Sequence, residues 1–220
     1  MRLVAHDVRV EFPALGSPVL DGATIEVGQG ESVAVLGPSG SGKSTLLSVL
    51  GGLVRPSRGQ VLLERDDGTR TPAEAAHLRA SCAWVLQTVN VLPERTAVAN
   101  VALGALARGS ARHEARELAV RLLREVGLGH RTTTAARSLS GGELQRVVVA
   151  RALASGRPFL LADEPTGQLD RTTSREILAA MLGPRVGVVR TGVVVVTHDP
   201  EVAERCDVTV RIEDGRVVPA

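Results

Sequence analysis

Ser32-Val33-Ala34-Val35-Leu36-Gly37-Pro38-Ser39-Gly40-Ser41-Gly42-Lys43-Ser44-Thr45-Leu46-Leu47-Ser48-Val49-Leu50 is the stretch that decides the fold of this 220-residue chain. A continuous apolar run leads into a glycine-rich loop and then into an apolar helical pattern, which reads as a buried strand, a loop and a helix. Gly37 to Ser44 matches in full the pattern of glycine, four variable residues, glycine, lysine and serine. Glycines in that pattern let the backbone wrap phosphate groups with its N–H groups inward, and the positive end of the following helix adds to the field. Lys43 is the only lysine present; every other one of the 26 basic residues is arginine. An ammonium is a compact point charge that enters a ring of amides, whereas a planar guanidinium is too wide to sit there. The loop is therefore expected to bind a nucleotide, with Lys43 on the β- and γ-phosphates and the Ser44 hydroxyl on Mg²⁺.

A length of 220 residues suffices for one large domain or a core with a subdomain, and the second organisation is expected. The formal charge of +2 comes from interspersed acidic and basic residues, without the dense basic stripe that tracks a nucleic-acid backbone. Aromatic residues make up 1% of the chain (Phe12, Phe159 and Trp84), too few for a base-stacking platform. No nucleic-acid partner is expected. Cys82 and Cys206 are isolated, lack metal-ligand spacing and suit a reducing compartment as small buried hydrophobes. No apolar run approaches the ~20 residues that span a bilayer, and Met1 to Asp7 has no signal-peptide core, so a soluble chain is expected.

Alternation in Val8-Arg9-Val10-Glu11-Phe12 and Ala23-Thr24-Ile25-Glu26-Val27 predicts a small antiparallel sheet at the start. Buried parallel strands are expected at Ala83 to Leu86, Phe159 to Ala162 and Val193 to Val196, separated by helical patterns. Thr71-Pro72-Ala73-Glu74 has a cap residue, a proline and a glutamate spaced for a helix start. Ala111 to Val126 predicts a helix with Leu118, Leu122 and Val126 on its apolar face, stopped by Gly127. Residues 87 to about 157 read as helical throughout. The expected division is 1–86 with 158–220 as core, and 87–157 as an inserted helical subdomain.

Phe159 to Pro165 is an apolar strand ending in two adjacent carboxylates, Asp163 and Glu164, and strand C-termini are where ligands gather in open α/β sheets. Asp163 can hold Mg²⁺ through water and Glu164 can accept a proton from an attacking water; a solvated acidic turn is the alternative. Leu139-Ser140-Gly141-Gly142-Glu143 opens a helix with apolar Leu144, Val147, Val148 and Leu153. Ser140, Gly141 and Gly142 there offer free amides and a hydroxyl to an anion, or simply an ordinary helix cap.

Together and in this order, these motifs resemble the ATP-binding-cassette family across nearly the whole chain. Gly37, Pro38, Ser39, Gly40, Ser41, Gly42, Lys43, Ser44 and Thr45 resemble its Walker A loop, and Leu160 to Glu164 its Walker B strand with the following glutamate. Leu139 to Glu143 is similar to the family's signature. The resemblance implies that Gln87 is the Q-loop glutamine touching Mg²⁺ and sensing a membrane partner, that Leu169-Asp170 is the D-loop, that His198 is the switch histidine at the γ-phosphate, and that Phe12 stacks on adenine. Taken singly, Gln87 could be a surface amide, His198 a loop histidine and Phe12 core. The implied fold is an α/β P-loop NTPase, with a RecA-like parallel sheet, an N-terminal antiparallel subdomain and a helical insert.

The implied activity is ATP hydrolysis by a homodimer that encloses two Mg-ATP head to tail and drives separate membrane permease subunits from the cytoplasmic face of the membrane. Trp84 to Pro93 and Thr96 to Val101 resemble the branch serving lipoprotein-release, macrolide-export and cell-division partners, with Val89, Val91 and Leu92 as an exposed apolar strip. Three departures stand out: Glu143 replaces the signature glutamine, Phe12 the usual tyrosine, and Gln168 the asparagine or small residue often found at that D-loop position. The stretch from Gly183 to Gly192 is also irregular for the family. Rival readings are a soluble ATPase of the same fold acting in repair or on the ribosome, and a kinase sharing the phosphate loop.

Overall fold

A computed structural model describes residues 1–14, 16–167, 169–183 and 191–220. Gln168 and residues 184–190 of the irregular stretch lie outside the described residues. In chain order the elements are β1 (Arg2–Glu11), β2 (Pro18–Gly28), β3 (Ser32–Leu36), α1 (Lys43–Leu50), β4 (Arg58–Glu64), β5 (Arg70–Pro72), α2 (Ala75–Ser81), β6 (Cys82–Val85), α3 (Ala97–Leu106), α4 (Arg112–Glu125), α5 (Gly141–Ala154), β7 (Phe159–Asp163), α6 (Arg171–Leu182), β8 (Gly192–Val196), α7 (Pro200–Ala203), β9 (Val208–Glu213) and β10 (Arg216–Pro219). They form two compact units. The first is Met1–Cys82, Pro158–Glu164 and Val189–Ala220; the second is Ala83–Arg157 and Pro165–Val188.

The first unit holds two sheets. The N-terminal one is antiparallel in the order β2-β1-β4-β5; it buries Leu3 and Ala5 of β1 and, past a register shift at Asp7 (φ +50) that changes the phase of the alternation, Val8 and Val10. Thr71 and Pro72 belong to its edge strand, paired with Leu63 and Leu62, so the helix expected from Thr71 begins only at Ala75, with Glu74 as its cap. Pairing to β4 outweighs the local cap signal, and an edge is where a strand tolerates proline.

The second sheet runs β10-β9-β3-β8-β7 within this unit. Its strands β9, β3, β8 and β7 are mutually parallel, and β10 folds back on β9. Val33 to Val35, Leu160 to Ala162 and Val193 to Val196 are all at most 2% exposed, the continuous burial expected of a parallel sheet. Asp207 fastens the start of β3: its carboxylate accepts the amide (2.8 Å) and hydroxyl (2.6 Å) of Ser32, and its own amide donates to that hydroxyl (2.9 Å).

The second unit is helical apart from β6; between residues 87 and 157 the described β-type pairing is one isolated bridge, Thr96 to Ala135. Its helix α4 has Ala111 as N-cap and Val126 as C-cap, and Gly127 follows at φ +75. The buried face of α4 is Ala115, Ala119, Leu122 and Leu123, with Leu118 only half-buried, so small residues sit where α4 meets α3 and α5. Gly104 makes the α3–α5 approach possible, since a Cβ there would stand 2.2 Å from the Arg151 carbonyl. The predicted apolar strip is partly sheltered: Leu92 is exposed, Val89 and Val91 half-buried.

Candidate nucleotide site

Strands β3, β8 and β7 are neighbours, with Val35 opposite Val196 and Val196 opposite Asp163. Their C-terminal ends therefore release three segments from one sheet edge: the glycine loop after β3, Thr197-His198 after β8 and Glu164 after β7. That edge is the ligand side of a parallel α/β sheet.

In the loop, Gly42 precedes α1 at φ +102, and a Cβ there would lie 2.9 Å from the Val19 carbonyl and 3.0 Å from Leu20 Cδ2. Glycine is needed at this point for both conformation and space. Lys43 opens α1, is 8% exposed, and donates from Nζ to the carbonyls of Gly37 (2.7 Å) and Pro38 (2.8 Å). The ammonium is thus held against the loop it serves, inside its span of residues. Pro38, Ser39, Gly40 and Ser44 are exposed and Thr45 is half-buried. Ser41 Oγ is buried without a hydrogen bond, an acceptor and donor awaiting a polar group.

Asp163 ends β7, half-buried. Glu164 follows with φ +47, a left-handed backbone unusual for a residue with a side chain, and its amide donates to the Val196 carbonyl at 2.9 Å. Its carboxylate is 15% exposed, and His198 Nδ1 stands 2.9 Å from both oxygens, hydrogen-bonded to Oε1. Oε2 is buried with no hydrogen bond of its own. The histidine is placed by its neighbours: Thr197, 1% exposed, donates its amide to the Val35 carbonyl (3.2 Å), and Asp199 N donates to Thr197 Oγ1 (3.0 Å) while its side chain caps α7. Phe12, just past β1, is 39% exposed and is not core.

The remaining expected residues belong to the second unit. Gln87 is exposed in the segment after β6. Ser140 caps α5 in a reciprocal box: Glu143 N donates to Ser140 Oγ (3.3 Å) and Ser140 N to Glu143 Oε2 (2.8 Å). The Ser140 amide is the main cause holding the Glu143 carboxyl below its ordinary range; the Ser140 hydroxyl and Arg131 add to it against partial burial. Gly141 is exposed and Gly142 half-buried. Asp170 is the N-cap of α6, accepting from Thr172 N and Thr173 N (3.0 Å each) and from Thr173 Oγ1 (2.7 Å). These bonds, the Thr173 hydroxyl first, lower its pKa.

Two buried amides escape a reading of the sequence. Asn100 accepts from Leu92 N (2.8 Å) and donates to the carbonyls of Leu92, Arg95 and Thr96 (3.0–3.3 Å), stapling the chain ahead of α3. Gln145, 4% exposed on α5, donates to the Pro165 carbonyl at 3.1 Å. A polar residue on a helical apolar face was the available signal for both.

The donors at the sheet edge suit a hard cation. They are hydroxyl and carboxylate oxygens from Ser44 and Asp163, and among the described residues no group of three His, Cys, Asp or Glu could hold a metal unaided. No described helix is long and apolar enough to cross a membrane.

The family described as ABC transporter matches residues 20–167. The chain is 46% identical over 206 residues to the macrolide export ATP-binding/permease protein MacB of Rhodopirellula baltica, covering 91% of this chain and 30% of that protein. It is 44% identical over 207 residues to the lipoprotein-releasing system ATP-binding protein LolD of Anaeromyxobacter dehalogenans, covering 92% of this chain and 85% of that one. The chain thus spans about a third of its MacB relatives and most of its LolD relatives. Among solved structures it resembles a dimeric post-hydrolysis state of the ATP-binding cassette MJ0796 bound to ADP and Pi, with a TM-score of 0.83, 33% identity, and 98% and 96% of the two chains covered. With the phosphate loop, the paired carboxylates and the histidine on one edge of a P-loop NTPase sheet, and a family match running from β2 past Glu164, the chain belongs to the ABC transporter family and is one of its ATPase cassettes.

Proposed function

We propose that the chain binds Mg-ATP on Gly37 to Thr45, hydrolyses it as a homodimer and passes the resulting motion to separate membrane permease subunits. The observation that carries this is the convergence of Lys43, Asp163, Glu164 and His198 at the ends of three adjacent strands. Phosphoryl transfer demands positioning and charge neutralisation more than covalent chemistry, and these are the groups for it. Lys43 exchanges the Gly37 and Pro38 carbonyls for β- and γ-phosphate oxygens, a stronger partner for an ammonium. Glu164 aligns the attacking water and takes its proton, and His198, released from the Glu164 carboxylate, turns to the γ-phosphate. Ser44 and Asp163 would hold Mg²⁺, which when bound neutralises phosphate charge. Phe12, exposed in this unit, meets the adenine.

The dimer reading is supported by Ser140, Gly141 and Gly142 at the capped start of α5, an anion-binding helix end that serves the nucleotide of a second copy. A related cassette is described as dimeric with ADP and Pi. The MacB relatives, named as ATP-binding/permease proteins, point to a membrane permease as partner, and hence to the cytoplasmic face of the membrane as the working place. Light scattering of the Glu164→Gln variant saturated with Mg-ATP tests the core of the reading. A mass of two chains is expected, and a population of single chains that still binds ATP would overturn it.

A further inference from the structure

We infer that Gln145 is a positioning residue through which a nucleotide gripped by the start of α5 is felt at the Glu164 of the same chain. This rests on the dimer reading above.

Gln145 lies about one and a half turns into the helix that Ser140 caps, close enough to move with that end as one rigid piece. Its side chain is 4% exposed, and Nε2 donates to the carbonyl of Pro165 at 3.1 Å. Pro165 is covalently next to Glu164. Proline has a fixed φ and no amide hydrogen, so its buried carbonyl is a stiff acceptor that can follow its donor only by moving the peptide. That carbonyl belongs to the peptide between Pro165 and Thr166, but the locked φ of Pro165 ties its carbonyl carbon rigidly to the preceding Glu164–Pro165 peptide, so a shift is carried back to Glu164, whose backbone at φ +47 has little room to absorb it.

A second touch occurs one turn earlier. A Cβ on Gly142 would be 3.4 Å from Thr173 Cγ2 and 3.5 Å from Leu169 Cδ2, so the first turn of α5 also rests on the residues around the Asp170 cap. The start of α5 therefore bears on 165–173 at two points, and one of them is a directional hydrogen bond. Binding of a γ-phosphate at Ser140 displaces or stiffens α5; Gln145 transmits the change to Pro165, and the water-aligning carboxylate is adjusted. In a head-to-tail dimer each site then reports its occupancy to the other, which makes hydrolysis cooperative in ATP.

The experiment is an ATP titration of steady-state hydrolysis in Gln145→Met, which keeps length and apolar volume and removes the donor. The expected result is a kcat lower by about 5–50-fold and a Hill coefficient reduced toward 1, with KM and the ATP-bound dimer unchanged. A lowered melting temperature with wild-type kcat and Hill coefficient would make Gln145 a mere core amide and overturn the inference. Light scattering on the unsubstituted chain separates the two readings: single chains at saturating ATP sink the dimer and this inference together, whereas dimers with an unaltered Hill coefficient in the variant sink only the role of Gln145. Hydrogen exchange on the unsubstituted chain provides a check without the substitution. A non-hydrolysable ATP analogue should slow exchange of the Leu169 amide, which donates to the Thr166 carbonyl at 3.0 Å, and unchanged exchange would also overturn the inference.

Discussion

His198 Nδ1 stands 2.9 Å from both carboxylate oxygens of Glu164, across neighbouring strands β8 and β7 of one sheet. Each residue thereby holds the other, and Glu164 does so from a left-handed backbone. If the two act as one device, their removal is not additive. Glu164→Gln and His198→Ala should each lower kcat by about 10²–10⁴-fold, and the double variant should be little worse than the poorer single one. Single-turnover hydrolysis alongside equilibrium ATP binding measures this; multiplying losses would mean independent roles.

Lys43 tests geometry against charge. At 8% exposure, with Nζ within 2.8 Å of two loop carbonyls, the position has no room for a guanidinium. Lys43→Arg, though it preserves charge, should lower turnover by at least about 10²-fold, since mispositioned phosphate forfeits most of the advantage of orientation. Retained turnover in a coupled phosphate-release assay would show that a diffuse positive charge is enough.

Gly42→Ala should damage nucleotide binding more than global stability. The φ of +102 disfavours any side chain by about 1–2 kcal/mol, and the new methyl would press on the Val19 carbonyl and Leu20. Relief is available only by shifting the loop. Isothermal titration should show weakened ATP binding with the melting temperature lowered by a few degrees at most.

Glu143 gives α5 an acid-sensitive cap. Its folded pKa is depressed by the Ser140 amide and Arg131, so its contribution is complete above the ordinary carboxylate range and fades as pH falls through the lowered folded value. Glu143→Gln can still accept from Ser140 N but has no proton to gain. Its melting temperature should fall less steeply than that of the wild type below about pH 5, and parallel curves would remove Glu143 from the acid response.

Cys206 should be inert. Burial, reinforced by the neighbouring Asp207 charge and partly opposed by Ser32, pushes its thiol up to about 11, and Cys82 is fully buried. Native protein at pH 8 should react with a disulfide reagent only on the timescale of unfolding; a rapid stoichiometric reaction would show that Cys206 is reached in the folded state.

Local chemistry made much of this legible in the sequence. The glycine loop needs only neighbouring residues to declare itself, and so do Ser140 with Glu143 three positions later and the apolar runs of β3, β7 and β8. The C-terminal hairpin carries an equally local signal: Asp214-Gly215, both at positive φ, is a two-residue turn between alternating strands. Thr71-Pro72 forms a strand where a helix start is expected because its ladder partners, Leu63 and Leu62, lie a turn away in sequence and outweigh a cap signal confined to four residues.

What the chain's order alone determined is the set of chemical groups: one ammonium in a phosphate-wrapping loop, two carboxylates at a strand end, a serine-glycine helix start and a histidine after an apolar strand. Only the tertiary structure decided that β8 lies between β3 and β7, which puts His198 against Glu164, and that the Gln145 amide reaches Pro165. The physical reason is range. Caps, turns and periodicity act over a few residues and leave their mark locally, whereas strand order and buried hydrogen bonds between distant segments arise only when the whole apolar surface is buried at once.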